Sequence, residues 1–148
     1  MAAPVERVFD LSRSIDLHKI SVAATIEEAI AGRTTGLISE NETVTWRARH
    51  LFKTREFTSC IVSMQAPSFF CDEMIKGDFK SFRHEHYFKK VENGTILIDK
   101  LQFETPYGII GRLANQLFLG AYIERFIVQR NEVIRDYAES AKWQEVLY

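Results

Sequence analysis

The residues whose types and spacing could do chemistry lie in Phe82-Arg83-His84-Glu85-His86-Tyr87-Phe88. In an extended strand side chains alternate between faces, so Phe82, His84, His86 and Phe88 share one side while Arg83, Glu85 and Tyr87 take the other. A sheet solvated on one side ordinarily has an aliphatic inner face, and two imidazoles there require partners or a ligand. The pair is therefore read as lining a cavity. An imidazole titrates near neutrality, so next to a carboxylate it can serve as a general acid or base.

Two acids are within reach of this pair. Asn93-Gly94 is a two-residue hairpin signal, because both residues tolerate positive φ. A turn centred there sets Glu92 opposite Thr95, and hence Phe88 opposite Asp99, His86 opposite Leu101 and His84 opposite Phe103. Asp99 then lies on the histidine face, diagonal to His86 and about 7 Å from it at the backbone. On the preceding strand either Phe70, Asp72 and Met74 or Phe69, Cys71, Glu73 and Ile75 face inward. The first set is preferred, since Phe70 and Met74 flank one acid, and it places Asp72 opposite or diagonal to His84.

The elements that must position these groups follow from pattern. Pro4 to Leu11 has Pro in the first turn, an acid behind it and Val5, Val8 and Phe9 on one face, which predicts a short helix. A second helical turn starts at Ser14 as its cap, with Leu17 inward and His18 on the surface. The stretch 28–38, a turn at Asn41-Glu42 and the stretch 43–52 read as a hairpin. There the alternation sends Arg47 and Arg49 to solvent and Val44, Trp46, Ala48 and His50 inward. Strands follow over 56–64, 69–75, 79–91 and 95–105, separated by Gln65-Ala66-Pro67-Ser68, Lys76-Gly77-Asp78 and Asn93-Gly94. After Thr105-Pro106-Tyr107-Gly108 about thirty residues are helical. Ile110, Leu113, Leu117, Ala121, Tyr122, Phe126, Val133 and Tyr137 form an apolar stripe on a rod of about 45 Å. Gly120 inside this helix signals close packing or a bend.

Composition bounds the class. The chain has 148 residues, 46% hydrophobic and 12% aromatic, enough for one domain with a real core. Nineteen basic and twenty acidic residues leave a net charge of -1 without clusters, which excludes a basic nucleic-acid footprint and a polybasic membrane patch. Cys60 and Cys71 fit no metal or redox motif and read as reduced thiols. With no signal-peptide pattern and no apolar run of about 18 residues, a cytoplasmic protein without membrane insertion is expected.

Short helices, an antiparallel meander of five or six strands and one long C-terminal helix are the order of the helix-grip fold. Pro4-Val5-Glu6-Arg7-Val8-Phe9-Asp10, Ala66-Pro67-Ser68-Phe69-Phe70 and Thr105-Pro106-Tyr107-Gly108 carry the resemblance further. On these residues the chain resembles the START-like, Bet v 1-like (SRPBCC) superfamily, in its branch of polyketide cyclase/dehydrase-like and coenzyme Q-binding-like proteins, over nearly its whole length. The resemblance implies an α+β fold: a curved antiparallel sheet of about six strands wrapped around the long helix, with a hydrophobic ligand cavity between them. The family's usual first strand is missing before Pro4. Either the recorded chain starts internally, or the sheet has an exposed edge at which a homodimer could pair.

Three roles compete for the polar cluster. It is a set of mutually satisfied buried groups, or the polar end of a site for a lipid-, quinone- or polyketide-like ligand, or a cyclase/dehydratase centre. The candidate ligand-binding residues are Trp46, His50, Asp72, Phe82, His84, His86, Asp99 and Phe103. In an enzyme, His86 with Asp99 or His84 with Asp72 would be the acid/base pair. A partner-binding module, as among the co-chaperone members of the superfamily, is a further alternative. No cofactor is expected. His50, His84 and His86 would make a three-imidazole zinc set, but in the helix-grip strand order three strand spacings, roughly 14 Å, separate His50 from the pair, so no metal is assigned.

Overall fold

The computed structural model describes residues 1–23, 27–50 and 52–147, with the backbone alone at 50 and 114–116. Helix α1 (Val5–Ser12) follows Pro4, whose fixed φ suits a helix start, carries Glu6 in its first turn, and buries Val5, Val8, Phe9 and Leu11. Helix α2 (Ile15–Ser21) is capped as its sequence implies: the Ser14 hydroxyl accepts from the Leu17 N–H at 3.2 Å. Six strands then form one antiparallel meander in sequence order, β1 (Glu28–Gly32), β2 (Thr43–His50), β3 (Lys53–Gln65), β4 (Phe69–Lys76), β5 (Ser81–Val91) and β6 (Gly94–Glu104). The long helix spans 32 residues as α3 (Gly108–Ala114), a π-helical turn (Asn115–Leu119) and α4 (Gly120–Glu139). A short α5 (Gln144–Leu147) ends the described chain.

The β5–β6 register departs from the expectation drawn from Asn93-Gly94. Val91 pairs with Gly94, so the turn is centred on Glu92-Asn93, His86 lies opposite Asp99, His84 opposite Leu101 and Phe82 opposite Phe103. The slip is two residues, which preserves every side chain's face. Its physical reason is at Gly94, which has φ +154° and so close an approach to Met1 that a Cβ would collide with the Met1 carbonyl oxygen. Gly94 therefore serves the strand and not the turn. The backbone of Met1 pairs with Thr95 in both directions, N–H to O at 2.9 Å and 2.8 Å, at the outer edge of β6.

The core gathers at one end. Helix α1 packs against α4, β5 and β6, and Phe9 meets Phe70 and Phe88 edge-on at 5.7 Å and 5.2 Å. From the long helix this core takes Ile134 and Ala138. The expected apolar stripe is core only in that C-terminal half, because Ile110, Leu113 and Leu117 are exposed. The π-helical turn directly before Gly120 re-phases the helix, so one periodic stripe cannot face the sheet along its whole length.

Phe9 is 2% exposed and central to this packing. Phe9→Ala is expected to cost about 3–5 kcal/mol in urea unfolding, against under about 1 kcal/mol for Ile98→Ala on the solvated face. Equal small losses would place the core elsewhere.

Candidate functional site

Between the sheet and the long helix lies a cavity of about 500 Å³. Alternation on the strands turns Trp46, Ile61 and Phe70 into it, and 3.6-residue periodicity on α4 supplies Tyr122, Phe126 and Ile127. His84 and His86 project into the same space from β5, and Asp72 from β4. In a largely apolar wall these are the groups that need pairing.

The pairing is crossed. His86 Nε2 donates to Asp72 Oδ1 at 3.0 Å, and His84 Nε2 to Asp99 Oδ1 at 2.9 Å. These are not the His86–Asp99 and His84–Asp72 donor pairs expected from the sequence. Asp72 faces His84 across the β4–β5 ladder and Asp99 faces His86 across β5–β6, yet each bond forms along the diagonal. His86 Nδ1 does lie 2.8 Å from the same Asp99 oxygen, but out of line for a hydrogen bond, so this buried nitrogen has no hydrogen-bond partner among the described residues. The rings are held by stacking, His86 on Phe70 at 4.1 Å and His84 against His86 at 3.8 Å between centroids.

A second tier comes from α4. Asn131 Nδ2 donates to Asp99 Oδ2, and the Arg130 guanidinium lies 3.9 Å from Asp99 Oδ1. Arg130, 7% exposed, also donates to the Ser12 carbonyl at 2.7 Å, at the C-terminal end of α1 where a cation is favoured. Neither residue was singled out in the sequence. A signal existed: Arg130 is four residues from both Phe126 and Ile134, a lone charge on the inward face of an amphipathic helix.

Electrostatics follow this wiring. Burial pushes the Asp99 carboxyl up, but the hydrogen bond from His84, the adjacent His86 imidazole and the charge of Arg130 outweigh it and hold Asp99 well below the usual carboxylate range. Asp72 behaves alike: burial opposes ionisation, and the His86 hydrogen bond together with the surrounding positive groups still lowers it. His84 is lowered by burial first and by neighbouring His86 second, with Asp99 opposing. Burial raises the Cys71 thiol to about 11, which keeps it protonated and unreactive.

The remaining predicted residues divide. Trp46 and Phe82 line the cavity, whereas Phe103 packs against Phe79 and Phe82 and is not among the described lining residues. Asp99 stands behind the imidazoles in the same sense. The side chain of His50 lies outside the described residues. His18, expected on the surface, instead lines the cavity, bonds Glu27 at 3.0 Å and meets the Trp46 ring at 4.3 Å. It belongs to the inward stripe Ile15, His18, Val22.

The pH dependence of stability has a defined sign. A folded-state His84 pKa below the unfolded value of about 6.5 contributes stability above that pH, lost as pH falls through it. Asp72 and Asp99 contribute above about 3.9 and lose it on further acidification. The urea midpoint is expected to fall between pH 8 and 5, with His84→Asn removing much of that fall, and to fall again below about pH 4. A midpoint that climbs toward pH 5 would mean that folded His84 prefers to be charged.

No family model and no curated protein matches the chain. Solved structures do. TTHA0849 from Thermus thermophilus is similar at TM-score 0.75 and 17% identity, covering 95% of this chain and 93% of its own. SA2116 from Staphylococcus aureus, a protein of unknown function, is similar at TM-score 0.65 and 14% identity over 94% and 91%. Ara h 8.0201 is similar at 0.60 and 11% over 90% and 92%. At these identities the likeness establishes architecture. With its open six-stranded antiparallel sheet, two short leading helices and long C-terminal helix, the chain has the helix-grip fold of the START-like, Bet v 1-like proteins.

Proposed function

We propose that the protein binds a hydrophobic or aromatic small molecule, lipid-, quinone- or polyketide-like, between sheet and long helix. The observation that carries this reading is the cavity itself. Its volume of about 500 Å³ falls within the range of small-molecule sites, its exposed wall is mostly apolar, and among its polar groups Asp72, His84 and His86 form one cluster and His18 with Glu27 another. Such an arrangement selects a ligand by shape along its apolar part and by hydrogen bonding at one end. The Thr105-Pro106-Tyr107 segment and Gly111 form another part of the lining, beside the exposed Ile109, Ile110 and Leu113. Apolar surface beside the cavity suits entry of an apolar ligand.

Native mass spectrometry of freshly purified protein is expected to show a co-purifying apolar species. In a Trp143→Phe background, leaving Trp46 as the single indole, an aromatic probe should alter Trp46 emission on binding. Ala48→Phe, which places a ring into the cavity wall, should weaken that binding at least tenfold. Binding that is indifferent to Ala48→Phe would remove the cavity from the account.

A second reading, a cyclase or dehydratase, is favoured by the imidazole–carboxylate pairs. His86 lies in the cavity wall with its Nε2 on Asp72, and exchange of that bond for a ligand oxygen would let it move a proton on an enolisable ligand, with His84 as the alternative base. Turnover that survives His86→Ala in a folded protein would eliminate this chemistry.

A further inference from the structure

We propose that Asp72, His84 and His86 bind a divalent transition-metal ion of the zinc type at the polar end of the cavity. One ligand atom from each lies within 4.8 Å of the others. Ligands at about 2.0–2.2 Å around a four-coordinate zinc stand about 3.4 Å apart, so side-chain rotation of an ångström or so closes the set. Two imidazoles and one carboxylate are a donor set for zinc, iron, nickel or copper; magnesium and calcium require a shell dominated by oxygen. This set shares two histidines with the three-imidazole arrangement that strand spacing disfavours, and takes its third donor from adjacent strand β4 instead of distant β2.

Two independent features point to a cation. The first is His86, 2% exposed, with a carboxylate oxygen near each ring nitrogen, Asp72 at 3.0 Å from Nε2 and Asp99 at 2.8 Å from Nδ1. A neutral imidazole carries one proton, so one of these nitrogens presents a lone pair to an anion, and Nδ1 has no hydrogen-bond partner among the described residues. The second is the charge count. Asp72 and Asp99 carry two negative charges, while Arg130 carries the single permanent positive charge beside them among the described residues. Two carboxylates thus converge on this buried cluster with one guanidinium beside them, an arrangement that a further cation would balance.

Asp99 then acquires a definite role. Metal-bound histidines are characteristically oriented by a carboxylate on their other nitrogen. Asp99 touches both imidazoles, and is itself held by Asn131 and Arg130. Three protein donors leave a fourth position. Since Asp72, His84 and His86 all line the cavity, that position opens to the ligand space, where water or a ligand oxygen completes the shell.

The test uses tag-free, ligand-stripped protein, so that its outcome is independent of whether an apolar ligand binds. Equilibrium dialysis against Zn²⁺ is expected to give one ion per chain. His86→Ala and Asp72→Asn should each weaken binding at least tenfold, while Cys60→Ser, a half-buried thiol outside the cluster, keeps it. Co²⁺ bound to the wild-type protein should shift the imidazole proton resonances of His84 and His86, a measurement that holds if the variants fail to fold. The proposal is overturned if saturating Zn²⁺ leaves well under one equivalent bound, as expected where a proton alone balances the cluster. It is equally overturned if Cys60→Ser abolishes binding, or if Co²⁺ leaves both imidazoles unshifted.

Discussion

A charge taken from water into an apolar cavity costs several kcal/mol unless opposite charge and hydrogen bonds meet it there. Asp99 faces this requirement most acutely. It is met from two sides, by His84 and His86 on the neighbouring strand and by Asn131 and Arg130 on the long helix. Much of the tertiary structure is tied to it. Strands β5 and β6 must hold their register for the imidazoles to reach, and α4 must sit at one rotation and one height for Asn131 and Arg130 to arrive together. Arg130 also bonds the end of α1 through the Ser12 carbonyl, which couples the leading helices to the same cluster.

This coupling explains why the molecule is organised as two regions. Around Phe9, Leu11, Leu17 and Ile134 the packing is closed and apolar. Beyond the cluster the sheet and helix separate into the cavity, and the roof there is built from α3, the π-helical turn and the start of α4. Residues such as Ile109, Ile110 and Leu117 leave their side chains in solvent on this roof. Stability is thus concentrated at one end and accessible volume at the other, the usual division between a scaffold and the site it carries.

The polar cluster is also specific in what it can do. Its acids are held ionised and its imidazoles are stacked against Phe70 and each other, so the donors are oriented before any ligand arrives. Preorganised polar groups in an apolar wall discriminate between ligands by the penalty for leaving a donor or acceptor unmatched. The same arrangement suits hydrogen-bond recognition, proton transfer and metal ligation, since all three use oriented imidazole nitrogens and carboxylate oxygens.

Element order, the inward faces of β2, β4 and β5, the Ser14 cap and the placement of Asp72, His84, His86 and Asp99 on one face were all legible in the chain, because each depends on periods of two or 3.6 residues and on local turn chemistry. The two-residue error in the β5–β6 register left those faces intact for the same reason, since a slip of two preserves alternation. What local pattern could not supply were contacts between elements distant in sequence. Gly94 was claimed by the approach of Met1, not by the turn. Arg130 and Asn131 reach Asp99 from more than thirty residues away, His18 turns inward toward Trp46 and Glu27, and the π-helical turn divides one apparent stripe into a buried half and an exposed one. The sequence by itself determined which side chains share a surface. Tertiary structure alone decided which surfaces meet, and therefore which imidazole bonds which acid, because that depends on the packing of helix against sheet and not on any repeat within either.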